Sequence, residues 1–86
     1  MKTTIYLLYR HGSNAANQSM TPVAVVGYEE AVSREAACRQ MARQTTVYAN
    51  QFLTAKPLSR TSQADRERAD EAERARMSEM LTAYQP

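Results

Sequence analysis

The side chains best equipped for chemistry lie near the amino terminus. Residues 4–19 read TIYLLYRHGSNAANQS, an apolar run that delivers Arg10, His11 and Gly12 and then opens into small polar residues. An imidazole can act as a nucleophile or move a proton near neutral pH. A neighbouring guanidinium offers paired N–H donors to phosphate or carboxylate oxygens. Asn14 and Asn17 add amide groups to the same polar stretch. His11 is the single histidine of the 86 residues, and Cys38 is the single cysteine. One of each, far apart in the chain, assembles neither a zinc site nor an intramolecular disulfide, so no metal or cofactor is expected.

The segment IYLLYRHGSNAAN, residues 5–17, resembles the N-terminal signature of the histidine phosphatase (phosphoglycerate mutase-like) superfamily. There an apolar strand leads into Arg-His-Gly, and an asparagine follows. Arg10, His11, Gly12 and Asn17 match, whereas Ser13 and Asn14 depart from the usual pair. The resemblance implies that His11 accepts a phosphoryl group and that Arg10 holds its oxygens. Such a mechanism also needs further positive charge around the equatorial oxygens and a proton for the leaving oxygen. The family draws these from a second histidine, a second arginine and a distant acid, and this chain has no second histidine. A structural reading of the same residues is available. Gly12 permits a turn, and the Asn, Ser and Gln side chains stabilise a surface loop with His11 on its rim.

A second group of candidates is electrostatic. Residues 1–64 carry seven Lys or Arg against three Glu, a net of +4, while residues 65–86 carry four Arg against six acids, a net of −2. Arg34, Arg39 and Arg43, with Lys56 and Arg60, are expected to form a basic face able to meet phosphates or an acidic protein. The plainer alternative is a solvated helix face. The chain has no helix-turn-helix spacing, zinc-finger pattern or RNA-stacking motif, so sequence-specific DNA recognition is not expected.

These groups must be positioned by a small fold. Residues 3–9 are β-branched, aromatic and apolar on both alternating faces, as in a central strand covered on both sides. Residues 22–28 predict a second strand, which either continues through Val32 or gives way to a helix near Glu29. Ser33 is a good N-cap, and Ala37, Cys38, Met41 and Ala42 recur at helical spacing up to about Thr45. Glu35 is placed to pair with Arg39. Cys38 is expected to be a small buried hydrophobe, with an intermolecular disulfide as the alternative. Residues 45–55 predict a third strand stopped by Pro57. Ser62 and Asp65 suggest a capping box before a helix over about 63–84. The first half of that helix is charge and alanine. Met77, Met80, Leu81 and Tyr84 form its one evident docking stripe, so it is expected to project or to sit at an interface.

The whole predicts one α+β domain, residues 1–86, in the order ββαβα, with two helices on one face of a three-stranded sheet. Its 37 hydrophobic residues include 14 alanines, so the core is thin and dimerisation or a partner would help complete it. No apolar run approaches the length of a transmembrane helix or a signal-peptide core, and a cytoplasmic protein is expected.

In size, mixed α/β character, basic face and lack of motifs the chain is similar to small phage and mobile-element proteins that block host defence complexes, anti-CRISPR proteins among them. That similarity implies a non-enzymatic binding protein acting by surface occlusion on a protein partner, such as an acidic or nucleic-acid-binding surface of a larger complex. The alternatives are a minimal or degenerate phosphohydrolase using His11, and an assembly protein dimerising through its last helix.

Overall fold

A computed structural model describes residues 2–12 and 24–83, with side chains described as far as residue 78. Its elements are β1 (Thr4–Gly12), β2 (Ala24–Ala31), α1 (Arg34–Ala42), β3 (Gln51–Pro57), a single 3-10 turn (Leu58–Arg60) and α2 (Gln63–Ala83). The strands form one antiparallel sheet in the order β2-β1-β3. The protein is therefore an α+β fold of order ββαβα with β1 in the centre.

The continuous apolar character of β1 follows from that position. Successive side chains on a strand point to opposite faces. Tyr6 and Leu8 pack with Val26, Ala31, Ala37 and Met41 on the α1 side. Leu7 and Tyr9 pack with Ala69 on the α2 side, joined by Val25, Tyr28 and Leu58. The helices thus cover opposite faces, not the single face that economy of layers suggests. A strand apolar on both alternations needs two covers, and each helix supplies one.

Leu7, Leu8 and Met41 are the largest fully buried side chains. Alanines fill the remaining space at both contacts. Ala37 and Ala69 are each completely buried, so both helix backbones approach the sheet closely.

Local chemistry sets the ends of the elements. Ser33 Oγ accepts the Ala36 N–H at 3.1 Å and caps α1. The helix ends at Ala42, earlier than Thr45, because the Gln44 and Thr45 amides turn back onto the Met41 carbonyl. Residues 45–50 then form a connection, not the start of β3. Tyr48 and Gln51 close it, with the Gln51 N–H on the Tyr48 carbonyl and the Tyr48 N–H on Gln51 Oε1. Pro57 is the last residue of β3 instead of lying beyond it. At the start of α2 the Asp65 N–H donates to Ser62 Oγ, which completes half of a capping box. The Asp65 carboxylate serves other partners, Tyr9 and Arg68.

The docking face of α2 differs from the apolar stripe. Ala69 is buried, Asp65, Arg66, Glu73 and Arg76 are half-buried, and Met77 is 62% exposed. Helix spacing of three and four residues links Asp65, Ala69, Glu73 and Arg76 on one side. In the described part of the helix, Ala69 and polar contacts to the sheet are the anchor, and Met77 is not. The Met80, Leu81 and Tyr84 side chains lie outside those described.

Candidate binding surface

β1 runs on through Gly12 because Arg10, His11 and Gly12 pair with Leu53, Phe52 and Gln51 of β3. His11 is consequently a strand residue and 96% buried, not the rim of a loop. Its ring stacks on Phe52 with centroids 4.8 Å apart, and its Nε2 lies 2.7 Å from Thr54 Oγ1. Its Nδ1 is buried without a hydrogen-bond partner among the described residues. Arg10 pairs with Leu53, which packs on the α1 side, so alternation sends the Arg10 and His11 side chains to opposite faces. A strand in this register does not converge an arginine and a histidine on one phosphoryl group. Asn14 and Asn17 lie outside the described residues. Among the described residues no three His, Cys, Asp or Glu side chains gather as a metal site would require, and no helix is long and apolar enough to cross a membrane.

Next to His11 on its face, Tyr9 donates its hydroxyl to Asp65 Oδ2 at 3.0 Å. Burial, followed by the bond to this carboxylate and its charge, pushes the Tyr9 hydroxyl up to about 12. The group stays a neutral donor and fastens α2 to the central strand. It is a structural contact.

Basic charge is distributed on both sides of the sheet. Arg34, Arg39 and Arg43 are exposed on α1, and none of them forms an ion pair among the described residues. Glu35 does not pair with Arg39. Lys56 alternates with Ala55, so it points to the α2 side, and Arg60 lies in the 3-10 turn. The five cations expected to share a face therefore separate into an α1 trio and two others.

Two of the trio, Arg34 and Arg39, border an opening. A groove of about 490 Å³ between α1 and β3 is lined by Arg34, Glu35, Cys38, Arg39 and the strand residues Leu53, Thr54 and Ala55. Glu35 is the one acid among these residues. Cys38 is half-buried, and its Sγ donates weakly to the Leu53 carbonyl at 3.6 Å. Burial, and then the Glu35 charge, raises the thiol above its ordinary range, so it remains protonated.

The outer edge of β3 forms one wall of this groove. A proline has no N–H, so within a sheet it sits where its nitrogen faces away from the neighbouring strand. Pro57 marks that phase. Hydrogen-bonded and outward-facing positions alternate along an antiparallel pair, so Gln51, Leu53 and Ala55 face outward as well. Two contacts agree with this phase: the Gln51 N–H is used by Tyr48, and the Leu53 carbonyl is reached by Cys38. That leaves the Leu53 and Ala55 amides, which no side chain or turn reaches among the described residues.

These backbone groups are invisible to a search for reactive side chains. Pro57 at the end of the segment QFLTAKP was the available signal, since a proline marks an edge strand. No family model, curated protein or solved structure matches this chain.

Proposed function

We propose that the protein is a non-enzymatic binding protein that occludes an acidic surface of a larger partner through α1 and the adjoining edge of β3. The observation that carries this reading is the trio Arg34, Arg39 and Arg43, exposed and without ion pairs among the described residues, of which Arg34 and Arg39 line a groove whose one acid is Glu35. Cations without an ion pair among the described residues keep their capacity to neutralise charge on a partner. They also accelerate encounter with it. Blocking of a defence or nucleic-acid-processing complex is the form of inhibition that suits such a surface.

The test is capture of partners from lysate by the wild-type chain and by Arg34→Glu/Arg39→Glu/Arg43→Glu, each with and without nuclease. A partner retained by the wild type, resistant to nuclease and lost with the triple variant supports the reading. Equal capture by both chains removes the basic trio from it. Loss of all captured material on nuclease treatment points to nucleic acid instead.

A further inference from the structure

We infer that the partner segment is an extended acidic peptide that adds to the sheet as a fourth strand along the outer edge of β3. This deepens the proposed function and rests on the same basic surface, but it specifies a mode of recognition that the surface charge alone does not.

Strand addition requires outward backbone donors and acceptors in register, and alternate side chains of the added strand then select the partner. β3 supplies the first requirement through the Leu53 and Ala55 amides and carbonyls. Of these, only the Leu53 carbonyl has a contact among the described residues, a long one from a thiol. A thiol is a weak donor, so a peptide N–H displaces it at little cost. The groove supplies the second requirement. Alternate residues of an added strand project toward α1, where Arg34 and Arg39 line the opening. Acidic side chains at those alternate positions meet them, and a single acid, Glu35, opposes.

A second copy of the chain is the competing occupant. Antiparallel pairing of two β3 edges puts both α1 helices on the same side of one seam. That brings Arg34 and Arg39 of one copy toward those of the other, and like charges across a seam oppose pairing. Lys56, exposed on the edge strand, acts in the same direction. Charge selects an acidic strand over self-association.

The probe is a short synthetic peptide alternating Glu and Val. Its controls are the Lys/Val counterpart, and the Glu/Val peptide N-methylated at alternate residues so that it cannot pair with an edge. Binding is read by fluorescence anisotropy and by amide hydrogen exchange of the wild-type chain. Strand addition predicts that the Glu/Val peptide binds, slows exchange at Leu53 and Ala55, and loses about tenfold or more in affinity on N-methylation. Ala55→Pro removes an outward N–H in the same phase as Pro57 and lowers affinity similarly. The N-methylated peptide tests the same point without altering the protein, should that variant unfold.

Binding that survives N-methylation but is lost in Arg34→Glu/Arg39→Glu/Arg43→Glu overturns strand addition and leaves the basic surface standing. Failure of the Glu/Val peptide to bind overturns it as well, as does concentration-dependent dimerisation that protects Leu53 and Ala55 without peptide. Equal peptide binding by the charge-reversed variant overturns the basic surface together with the inference built on it.

Discussion

Along β2, the outward amide of Tyr28 and the outward carbonyl of Val26 are both met by side chains of α2. Along β3, the corresponding amides of Leu53 and Ala55 face a groove lined with arginines. Glu73 Oε1 accepts the Tyr28 N–H at 2.9 Å, Arg76 Nη1 donates to the Val26 carbonyl at 2.5 Å, and the two side chains are themselves ion-paired. Together they imitate a neighbouring strand with one acceptor and one donor. Unpaired sheet edges are templates for association, and covering them is a common protection. One edge of this sheet is closed from within the chain, and the other, among the described residues, is open beside cations without ion pairs. The difference separates a covered edge from the edge proposed above for recognition.

Gly27 makes the closed edge possible. The register of β2 shifts between Leu8 and Tyr9, leaving Val26 without a partner on β1 and turning its carbonyl outward. Gly27 follows with φ +147, a conformation that side-chain-bearing residues rarely adopt. A Cβ there would overlap Glu73 Oε1, lie 2.7 Å from Arg76 Nη2 and lie 3.1 Å from Met41 Cε. The two helices, on opposite faces, both reach the sheet edge at this residue.

The largest expected effect comes from filling that space. Gly27→Ala should cost about 2–4 kcal/mol, combining an unfavourable backbone conformation with displacement of the Glu73–Arg76 pair. Urea denaturation measures it, and a loss too small to resolve would mean that the edge tolerates rearrangement.

Removing one clamp comes next. Arg76→Met keeps most of the side-chain volume but leaves the Val26 carbonyl without its donor and Glu73 without its cation, at about 1.5–3 kcal/mol. It should also speed exchange of the Tyr28 amide and make β2 prone to self-association, visible by light scattering at rising concentration. An unchanged monomer with unchanged exchange would show that the clamp does not guard the edge.

Tyr9→Phe should cost about 1 kcal/mol through the lost bond to Asp65. It also has a pH signature. The folded Tyr9 hydroxyl titrates at about 12 against an ordinary 10.0, so its contribution is intact below about pH 10 and is lost as pH rises toward 12. The variant should therefore show a shallower alkaline loss of stability than the wild type. Some slope should remain, because burial, and then the nearby Asp70 carboxylate, also raises Tyr28. Parallel alkaline curves would assign the wild-type slope to other groups.

The smallest effect should come from Met77→Ala. The side chain is 62% exposed and lies off the docking face of α2, so the thermal midpoint should hardly move. A marked loss of stability would place Met77 at an interface between copies and revive dimerisation through α2.

How much of this was legible in the residues varies with the kind of interaction. The two-sided apolar pattern of Ile5 to Tyr9 marked β1 as central, and Ser33 and Ser62 marked two helix starts, because these are local features with local causes. The placement of the helices was misjudged, since two on one face were expected and the structure puts one on each. The docking face of α2 was hidden because Ala69 and an ion pair hold it down, and hydrophobic periodicity finds neither. The partition of the basic residues was hidden for a related reason: Lys56 and Ala55 are adjacent in sequence and opposite in space.

The sequence by itself determined the element order, the central strand, the helix caps and the surplus of arginine on α1, since each depends on residue type and spacing within a few positions. Only the tertiary structure decided that Arg10 and His11 point apart, that Gly27 admits a clamp onto β2, and that no described residue covers the edge of β3 beside Arg34 and Arg39. Those are properties of register and edge. They are set when backbone groups distant in sequence either find partners or do not.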